Sequence, residues 1–355
     1  MPCRRRELRT SDRQQLLAEV VATLRGGGLC VLPTETVYGL AVLPSHAEAV
    51  AKARATKGRA DQQPFTWHLA HRRDARQLWP DVPLAIERLL ERYWPGPLTV
   101  ILPDAHGGTA GARLPAHDFT RDVIAACGEP LWLSSVNRSG EPPLREAATI
   151  EAAFGAQVAL IVDDGPSPIG MASTIVRQTS RRLEVLREGI LTADEVLRTA
   201  ARLVLFVCTS NTCRSPLAEV VAREAVAKAL GTSSDDVLAH GLWFASAGTG
   251  TIDGLPASDG SLAAAAEVQL DLSAHRSQAL TPELLDRASF VYCLAQSHRR
   301  AVLAEVPSAA DKLSLLRQDG LDVADPYGSD LRVYRRTRDE IRHAIAARVG
   351  EWLPG

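Results

Sequence analysis

A cysteine and an arginine stand six positions apart in the second half of the chain, where an apolar run changes to a helical pattern. Cys208 ends the strand-like run LVLFVC, and Arg214 opens the segment RSPLAE, whose proline suits the first turn of a helix. A loop between a strand and a helix N-terminus turns its backbone N–H groups toward one point and binds phosphate-like anions. The guanidinium group of Arg214 adds a bidentate hydrogen-bond donor for two phosphate oxygens. The segment therefore predicts a phosphate socket that contains a cysteine.

The same positive field favours the thiolate of Cys208, which is the nucleophilic form of a cysteine. Ser215 is placed to donate its hydroxyl to that thiolate. Phosphoryl transfer to sulfur also needs an acid for the leaving group, and Asp325 in the loop-like segment ADPYG is the candidate. The competing interpretation is a buried structural cysteine followed by a surface arginine. The strand before Cys208 and the helix after Arg214 favour catalysis.

Five ordered segments of the second half resemble the low-molecular-weight protein phosphatases: CTSNTCRSPLAE, SAGT, DLSAHRSQAL, SHRRAVL and DPYG. The resemblance implies that Cys208 becomes a phosphocysteine and that Arg214 binds the phosphoryl group. It further implies that Asp325 acts first as an acid and then as a base, that Ser215 tunes the thiol and that Asn211 shapes the loop. Two histidines in these segments are expected to make structural hydrogen bonds, namely His275 and His298.

The residues around the cysteine bear on the substrate. Most tyrosine-directed members have a bulky aliphatic residue where this chain has Thr212, and the arginine-phosphatase subgroup has threonine there. A small hydroxyl leaves space and polarity for a guanidinium group. Tyr327 is followed by Gly328 and not by a second tyrosine, while Ser210 departs from the glycine that is usual in the arginine subgroup. An arginine-specific phosphatase is predicted, with a tyrosine-specific one as the alternative.

A second thiol lies inside the loop. Cys213 is predicted to form a reversible disulfide with Cys208 under oxidation, which protects the nucleophile from irreversible acids. Arsenate reduction uses the same scaffold but requires a downstream pair of cysteines for disulfide exchange. Only Cys293 lies downstream in this sequence, so a phosphatase is preferred over an arsenate reductase.

The first half contains another ordered series of segments: LPTETVYGLA, KGR, WPGPLTVIL, ARLPAH, LSSVNRSG, STIV and LREG. The cationic side chains among them are predicted to line one anion-binding cavity. The competing interpretation is that they are ordinary solvated surface charges. Over about residues 12–190 the series resembles the YrdC-like threonylcarbamoyl-AMP synthase family. The resemblance implies a twisted α/β sheet with a concave positive face.

On that face, the family condenses L-threonine, bicarbonate and ATP to threonylcarbamoyl-AMP and pyrophosphate, the activated intermediate for the t6A modification of tRNA. Cations and Mg²⁺ are expected because charge gathers on the triphosphate. Motif position assigns Lys57 and Arg59 to bicarbonate and phosphate, Thr34 and His68 to threonine, and Ser135, Asn137, Ser173 and Arg187 to the nucleotide, with Arg113 as an additional candidate. His68 is equally well interpreted as a core histidine on the strand FTWHLA.

The partners expected from this resemblance are the three substrates, a phosphoprotein for the second half, and tRNA or tRNA-modification proteins. The competing class is a binding module, in which an RNA- or nucleotide-binding first half targets an active phosphatase. RNA contact is expected to be secondary because the first half has a net charge of only +2, from 23 Lys+Arg against 21 Asp+Glu in residues 1–189, and shows no basic stripe interleaved with aromatic residues. A carbamoyl-transfer role in hydrogenase maturation is disfavoured because the chain has no C-x-x-C pair.

The elements that must position these residues alternate between strand and helix along all 355 residues, a length that favours two domains. We predict a YrdC-like domain over 1–190 and a three-layer, parallel-sheet phosphatase domain over 202–355, joined by a helix. The first two helices are predicted to carry caps at Ser11 and Ser45. The hydrophobic share of 46% excludes a disordered chain.

The apolar runs are too short for a membrane span, and the start of the chain lacks the apolar stretch of a signal peptide. The six cysteines are scattered without a zinc or redox-pair spacing. These features predict a cytoplasmic protein with reduced thiols and no membrane partner.

Overall fold

The structure, a computed structural model, describes residues 3–58, 64–137 and 141–353. The chain divides between Ala200 and Ala201 into two compact units, which we call the N-terminal and the C-terminal unit. Each unit combines helices with a β-sheet, so the predicted α/β fold class is confirmed.

The strands of the N-terminal unit are β1 (Arg4–Glu7), β2 (Cys30–Leu32), β3 (Gly39–Val42), β4 (Thr66–His68), β5 (Leu98–Pro103), β6 (Thr109–Arg113), β7 (Leu131–Ser135), β8 (Leu160–Asp163), β9 (Thr174–Gln178) and β10 (Leu183–Arg187). Within the described residues they form one mixed sheet in the order β1-β8-β2-β3-β7-β4-β6-β5-β9-β10. The neighbours β3, β7, β4 and β6 bring the Thr34, His68, Arg113 and Ser135 segments to the middle of the sheet.

The helices of this unit are α1 (Arg13–Arg25), α2 (Ala47–Lys57), α3 (Ala75–Leu78), α4 (Leu84–Tyr93), α5 (Asp118–Cys127), α6 (Ala147–Phe154) and α7 (Ala193–Ala200). Both predicted caps are wrong. Asp12 caps α1, because its carboxylate accepts from the backbone N–H of Gln15 at 2.8 Å. His46 precedes α2 without a side-chain cap, and the Ser45 hydroxyl donates to Glu129 instead.

Helices cover both faces of the large sheet, and β2 shows how. Cys30 and Leu32 pack in one buried cluster with residues of α1 and α5, whereas Val31 packs in a second cluster with residues of α2 and α6. Successive side chains of a strand point to opposite faces, so one short apolar strand contributes to both layers.

The C-terminal unit contains β11 (Arg202–Cys208), α8 (Arg214–Leu230), β12 (Leu242–Gly248), α9 (Asp259–Ala266), α10 (Pro282–Arg287), β13 (Ala288–Cys293), α11 (Gln296–Glu305), β14 (Leu313–Leu315), α12 (Leu331–Ala346) and α13 (Val349–Trp352). Its described strands form a parallel sheet in the order β12-β11-β13-β14. Val204 and Phe206 pack with α8 and α12 on one face, while Leu205 packs with α10 and α11 on the other. The predicted three-layer, parallel fold is confirmed.

No helix among residues 3–58, 64–137 and 141–353 is both long and apolar enough to cross a membrane.

Candidate functional sites

The phosphate loop of the C-terminal unit, residues 208–214, connects the middle strand of the sheet to a helix. Cys208 is the last residue of β11, which lies between β12 and β13, and Arg214 is the first residue of α8. Ligands of parallel α/β sheets bind outside the carboxyl ends of the strands. Cys208 and Arg214 are only 1% and 6% exposed, so both side chains are held inside the loop.

Asn211 organises this loop through its backbone conformation and through both ends of its amide. Its φ of 53° lies in the left-handed region, which asparagine tolerates better than most residues. Its Nδ2 donates to Ser215 Oγ and to Ser246 Oγ, each at 2.9 Å, and its Oδ1 accepts from the backbone N–H of Gln278 at 2.8 Å. Nε2 of His275 lies 2.7 Å from its carbonyl oxygen. The loop geometry is therefore fixed by buried polar contacts.

These contacts direct the Ser215 hydroxyl toward the cysteine. Ser215 Oγ already accepts from Asn211, and it lies 3.0 Å from Cys208 Sγ and 3.5 Å from the carbonyl oxygen of Ala247. Its own proton is thus available to the sulfur, as a thiolate requires. Ser246, in turn, donates to Glu219 at 2.7 Å. Sequence reasoning missed Ser246 and Glu219 as members of this network; the SAGT segment pointed to the first, and no signal pointed to the second.

The Arg214 side chain has one ionic partner and unused hydrogen-bonding capacity. Its Nη2 donates to Asp325 Oδ2 at 2.6 Å, and its Nη1 donates to the carbonyl oxygen of Val323 at 3.4 Å. Within the described residues its buried Nε has no hydrogen-bond partner. Asp325 is half exposed, unlike Arg214. The guanidinium and the candidate acid are thus adjacent, with a donor still free for an anion.

His298 contacts the start of the loop, where its Nε2 is 2.9 Å from Thr209 Oγ1. Burial, together with the positive charge of Arg214, lowers the pKa of His298 to about 4. The side chain is 2% exposed. It is therefore a neutral, buried histidine in hydrogen-bond contact with Thr209, the residue after Cys208.

The remaining loop side chains are small and polar. Thr212 Oγ1 lies 2.8 Å from Ser210 Oγ and 3.7 Å from Cys213 Sγ. Cys213 donates to Ser258 Oγ at 3.2 Å and lies 3.9 Å from the Tyr334 hydroxyl. All six cysteines of the chain are free thiols. The disulfide between the two loop cysteines stays a prediction.

In the N-terminal unit, a cavity opens on the strands at the centre of the sheet. It is lined by six of the residues singled out from the sequence: Thr34, His68, Arg113, Ser135, Ser173 and Arg187. Further hydroxyl groups of the lining belong to Tyr38, Thr66, Thr99 and Ser134. The cavity therefore combines hydroxyl groups with two guanidinium groups, a set of donors that suits an anionic ligand.

Arg113 is held by a carboxylate that sequence reasoning did not single out. Its Nη2 donates to Glu35 Oε1 at 2.5 Å, and its Nε donates to the Gly96 carbonyl at 3.1 Å. The other carboxylate oxygen of Glu35 accepts from the Ala116 N–H at 3.1 Å. The side chains of Arg113 and Glu35 are 5% and 16% exposed. The only sequence signal was the position of Glu35 within PTETVYGL.

His68 is both a cavity residue and a buried histidine, so the two interpretations of it are compatible. Its Nδ1 lies 3.1 Å from the Thr66 carbonyl oxygen. Burial, and then the charge of Arg113, lowers the pKa of His68 to about 3. It is a neutral group beside a cation.

Arg187 and Ser173, two further residues that line the cavity, are joined by hydrogen bonds. Arg187 donates through Nε and Nη2 to the Ser173 carbonyl oxygen at 3.1 and 2.8 Å, and Ser173 Oγ lies 2.9 Å from Thr99 Oγ1. Burial, and then the nearby charge of Arg113, lowers the pKa of Arg187. Two guanidinium groups held close to one another favour an anion between them.

Lys57 is the last residue of α2, and its side chain bonds to Ser135 and Asn137, two of the residues predicted to bind the nucleotide. Its Nζ donates to the Ser135 carbonyl oxygen at 2.5 Å and to Asn137 Oδ1 at 2.8 Å, and it is 4% exposed. Ser135 Oγ also donates to Asn137 Oδ1, at 2.6 Å. Arg59 lies outside the described residues.

Comparisons with known proteins match each unit to a different family. Residues 22–189 match the sequence model of the Sua5/YciO/YrdC family, described as telomere recombination. Residues 203–350 match that of the low molecular weight phosphotyrosine protein phosphatases. Threonylcarbamoyl-AMP synthase of Chromohalobacter salexigens is 37% identical over 162 residues, which are 43% of this chain and 85% of the relative.

Threonylcarbamoyl-AMP synthase of Bacillus subtilis is 33% identical over 200 residues, 54% of this chain and 57% of the relative. A solved double variant of Pyrococcus abyssi Sua5 is 26% identical with a TM-score of 0.53, and the likeness covers 62% of this chain and 75% of that one. The chain thus spans just over half the length of the first curated relatives it matches. Through its N-terminal unit the chain belongs to the Sua5/YciO/YrdC family, and its C-terminal unit matches the sequence model of the low molecular weight phosphotyrosine protein phosphatases.

Proposed function

We propose that this chain is a bifunctional enzyme. The N-terminal unit makes threonylcarbamoyl-AMP and pyrophosphate from L-threonine, bicarbonate and ATP, and the C-terminal unit hydrolyses phosphate esters or phosphoarginine through a phosphocysteine. The observation that supports the synthase is the single cavity that holds hydroxyl groups beside Arg113 and Arg187. The observation that supports the phosphatase is the buried, unpartnered Nε of Arg214, in the part of the chain that the structure describes, at a loop that begins with Cys208.

In the synthase, the carboxylate of N-carboxythreonine attacks the α-phosphorus of ATP, an oxygen–phosphorus bond forms, and the bond to pyrophosphate breaks. Negative charge moves onto the leaving pyrophosphate, so fixed cations lower the barrier. We assign Arg187, Ser173, Ser135 and Asn137 to the nucleotide, and Lys57 with Arg59 to bicarbonate and the phosphates. Because Lys57 bonds both Ser135 and Asn137, it can organise the nucleotide residues as well.

L-threonine is assigned to the Thr34 and His68 side of the cavity, with Arg113 as the group for its carboxylate. His68 stays neutral at physiological pH because its pKa is lowered to about 3. It therefore contributes hydrogen bonds and not charge, and Arg113 provides the positive charge.

Mg²⁺ is expected to accompany ATP. The cavity offers hydroxyl oxygens and guanidinium groups, which fit phosphate oxygens, and Mg²⁺ at such sites is commonly bound by substrate phosphates and water. Within the described residues, no group of three His, Cys, Asp or Glu side chains is arranged to hold a metal ion. The metal would polarise the triphosphate.

In the phosphatase, the Cys208 thiolate attacks phosphorus, Arg214 binds the equatorial oxygens, and Asp325 protonates the leaving group. Asp325 then removes a proton from the water that releases phosphate from sulfur. Ser215 stabilises the thiolate, and Asn211 holds the loop in shape. We favour phosphoarginine over phosphotyrosine as the substrate because Thr212 is small and polar beside the socket.

The product of the N-terminal unit would pass to tRNA modification, so tRNA or a tRNA-modification protein is the proposed partner, and a phosphoprotein is the partner of the C-terminal unit. The alternative is an RNA- or nucleotide-binding N-terminal unit without synthase activity. Pyrophosphate release by the full chain separates the two. Release that requires threonine, bicarbonate and ATP together supports the synthase, and ATP binding without such release contradicts it.

The phosphatase is tested on the same preparation with phosphoarginine and phosphotyrosine peptides. Cys208→Ser must abolish hydrolysis of both, because each passes through sulfur. Phosphate release that persists in Cys208→Ser, or a wild-type chain that cleaves neither peptide, contradicts this half of the proposal.

A further inference from the structure

Two hydroxyl groups of the phosphate loop lie side by side. Ser210 Oγ is 2.8 Å from Thr212 Oγ1, within the normal range for an O–H···O hydrogen bond. The backbone of each residue is anchored to the segment that follows β12: the Ser210 carbonyl accepts from Thr251 Oγ1 at 2.6 Å, and the Thr212 carbonyl accepts from the Ser258 N–H at 2.9 Å. The pair is thus fixed in place.

Few acceptors are available for the proton of the Thr212 hydroxyl. Besides Ser210 Oγ, the described contact of Thr212 Oγ1 is Cys213 Sγ at 3.7 Å, and sulfur is a weak acceptor. Cys213 itself donates to Ser258 Oγ. Either hydroxyl of the pair can be the donor, and of the two described contacts of Thr212 Oγ1 the Ser210 oxygen is the stronger acceptor for its proton.

A guanidinium group carries only N–H donors, so a hydroxyl facing it must present lone pairs and send its own proton elsewhere. In a phosphotyrosine ester, an oxygen atom that accepts hydrogen bonds takes the place of the guanidinium N–H group. A hydroxyl that faces this oxygen can therefore keep its proton and donate it. The distinction depends on where the Thr212 proton goes.

Resting on the phosphatase function proposed above, we propose that Ser210 is a specificity-determining residue: it takes the proton of Thr212, which leaves Thr212 Oγ1 as an acceptor for the guanidinium of phosphoarginine. Ser210 acts through Thr212 and does not touch the reacting atoms. The nucleophile, the phosphate donors and the acid are not altered by it.

The test compares kcat/KM for a phosphoarginine peptide and a phosphotyrosine peptide in the full chain. Ser210→Ala should lower the ratio of phosphoarginine to phosphotyrosine hydrolysis by about fivefold to tenfold, the worth of one hydrogen bond. Ser210→Thr keeps a hydroxyl and should retain most of the ratio. Thr212→Val removes the hydroxyl whose proton Ser210 accepts. In that background, Ser210→Ala should have no further effect on the ratio.

Equal losses on both peptides in Ser210→Ala would show a structural role and overturn the proposal, as would an unchanged ratio or an effect that persists in Thr212→Val. A wild-type chain that cleaves phosphotyrosine alone overturns both the arginine preference and the role of Ser210. A wild-type chain that cleaves phosphoarginine with a ratio insensitive to Ser210→Ala overturns the role of Ser210 alone.

Discussion

At the scale of single residues, the two sites hold their arginines differently. Arg214 pairs with the half-exposed Asp325 and keeps a buried donor without a partner in the described structure. Arg113 pairs with Glu35, and both side chains are largely buried. An ion pair of the first kind can be rearranged by a phosphate, whereas the second must stay intact because either charge alone would be desolvated and unpaired.

The Glu35–Arg113 pair leads to the first prediction. Glu35→Gln removes the charge but keeps the shape, so Arg113 stays buried without its counter-ion. Breaking such a pair by removing one partner typically costs about 3 to 5 kcal/mol, and we expect a loss of unfolding free energy toward the lower end because the amide still accepts one hydrogen bond. Denaturant unfolding measures it.

Exposed Glu48→Gln in α2 is the control and should leave stability within about 0.5 kcal/mol of wild type. Equal unfolding free energies for both variants would show that the buried pair contributes nothing.

Thr212 gives the second prediction. Thr212→Ile replaces a hydroxyl by a larger apolar group beside the socket and should raise the preference for phosphotyrosine over phosphoarginine. A change of this size in a pocket is worth about 1 to 3 kcal/mol, or about tenfold to two-hundredfold in the ratio of kcat/KM values. The two peptides are compared in wild type and variant. A wild type that already prefers phosphotyrosine, with a ratio that changes less than about twofold in the variant, contradicts the arginine assignment.

The sequence predicted site residues best where the residues that contact one another lie within one short motif. Cys208, Asn211, Arg214 and Ser215 lie within eight consecutive positions, so a strand, a loop and a helix start were enough to place them together. Glu219 and Glu35 owe their roles to partners 27 and 78 residues away. Periodicity and local spacing carry no information on such distant contacts.

At the scale of elements, the close approach of β12 to the phosphate loop shapes the C-terminal site. A Cβ at Gly248 would lie 2.5 Å from the Thr209 backbone oxygen and 2.9 Å from the Thr251 side chain. Gly248 also donates and accepts backbone hydrogen bonds with Gln278 and Leu280. Neither the strand nor the loop can shift cheaply, because both are tied by hydrogen bonds.

The third prediction is that Gly248→Ala displaces the residue after Cys208 and lowers phosphatase kcat/KM by at least about tenfold, since 1 Å of misplacement at a reacting group is costly. Gly250→Ala is a matched control two positions away, where the nearest atom to an added Cβ is 4.0 Å distant. Hydrolysis of a phosphopeptide measures both. Equal activity in the two variants would show that the approach of β12 does not set the loop geometry.

Strand positions followed from sequence better than helix starts did. The strand-like run LVLFVC lies within β11, which begins one residue earlier at Arg202 and ends at the same Cys208, because an apolar run bounded by turn residues fits a buried strand. The cap expected at Ser11 was wrong because several polar residues in succession can each cap a helix, and Ser11 and Asp12 are adjacent. The tertiary contact of Ser45 with Glu129 then removed the second expected cap.

At the scale of the whole molecule, each unit buries one neutral histidine at its candidate site. The pKa of His68 is lowered to about 3 and that of His298 to about 4, mainly by burial. Both values lie below the ordinary value of a histidine, so unfolding takes up protons when the pH falls below about 6.5. The contribution of these neutral histidines to the free energy of unfolding is complete above about pH 6.5 and is lost as the pH falls toward 4.

The fourth prediction follows for His298. His298→Asn should make the fall in unfolding free energy between pH 6.5 and 5 smaller by about 1 to 2 kcal/mol, whatever its effect at pH 7.5. The exposed His106→Asn serves as the control and should keep the wild-type slope. Urea unfolding at a series of pH values gives the slopes. Parallel curves for all three proteins would rule out a buried neutral histidine as a source of acid sensitivity.

The central claim is that one chain carries two independent chemistries, and a crossed pair of substitutions in the full chain tests it most directly. Lys57→Ala removes a buried cation from the proposed synthase site, Cys208→Ser removes the proposed nucleophile of the phosphatase, and exposed Lys52→Ala in α2 is the control. Threonine-dependent pyrophosphate release and phosphopeptide hydrolysis are measured on each protein. We predict that Lys57→Ala loses the first activity and keeps the second, that Cys208→Ser shows the reverse, and that Lys52→Ala keeps both. Pyrophosphate release that survives in Lys57→Ala, or peptide hydrolysis that survives in Cys208→Ser, would contradict the account.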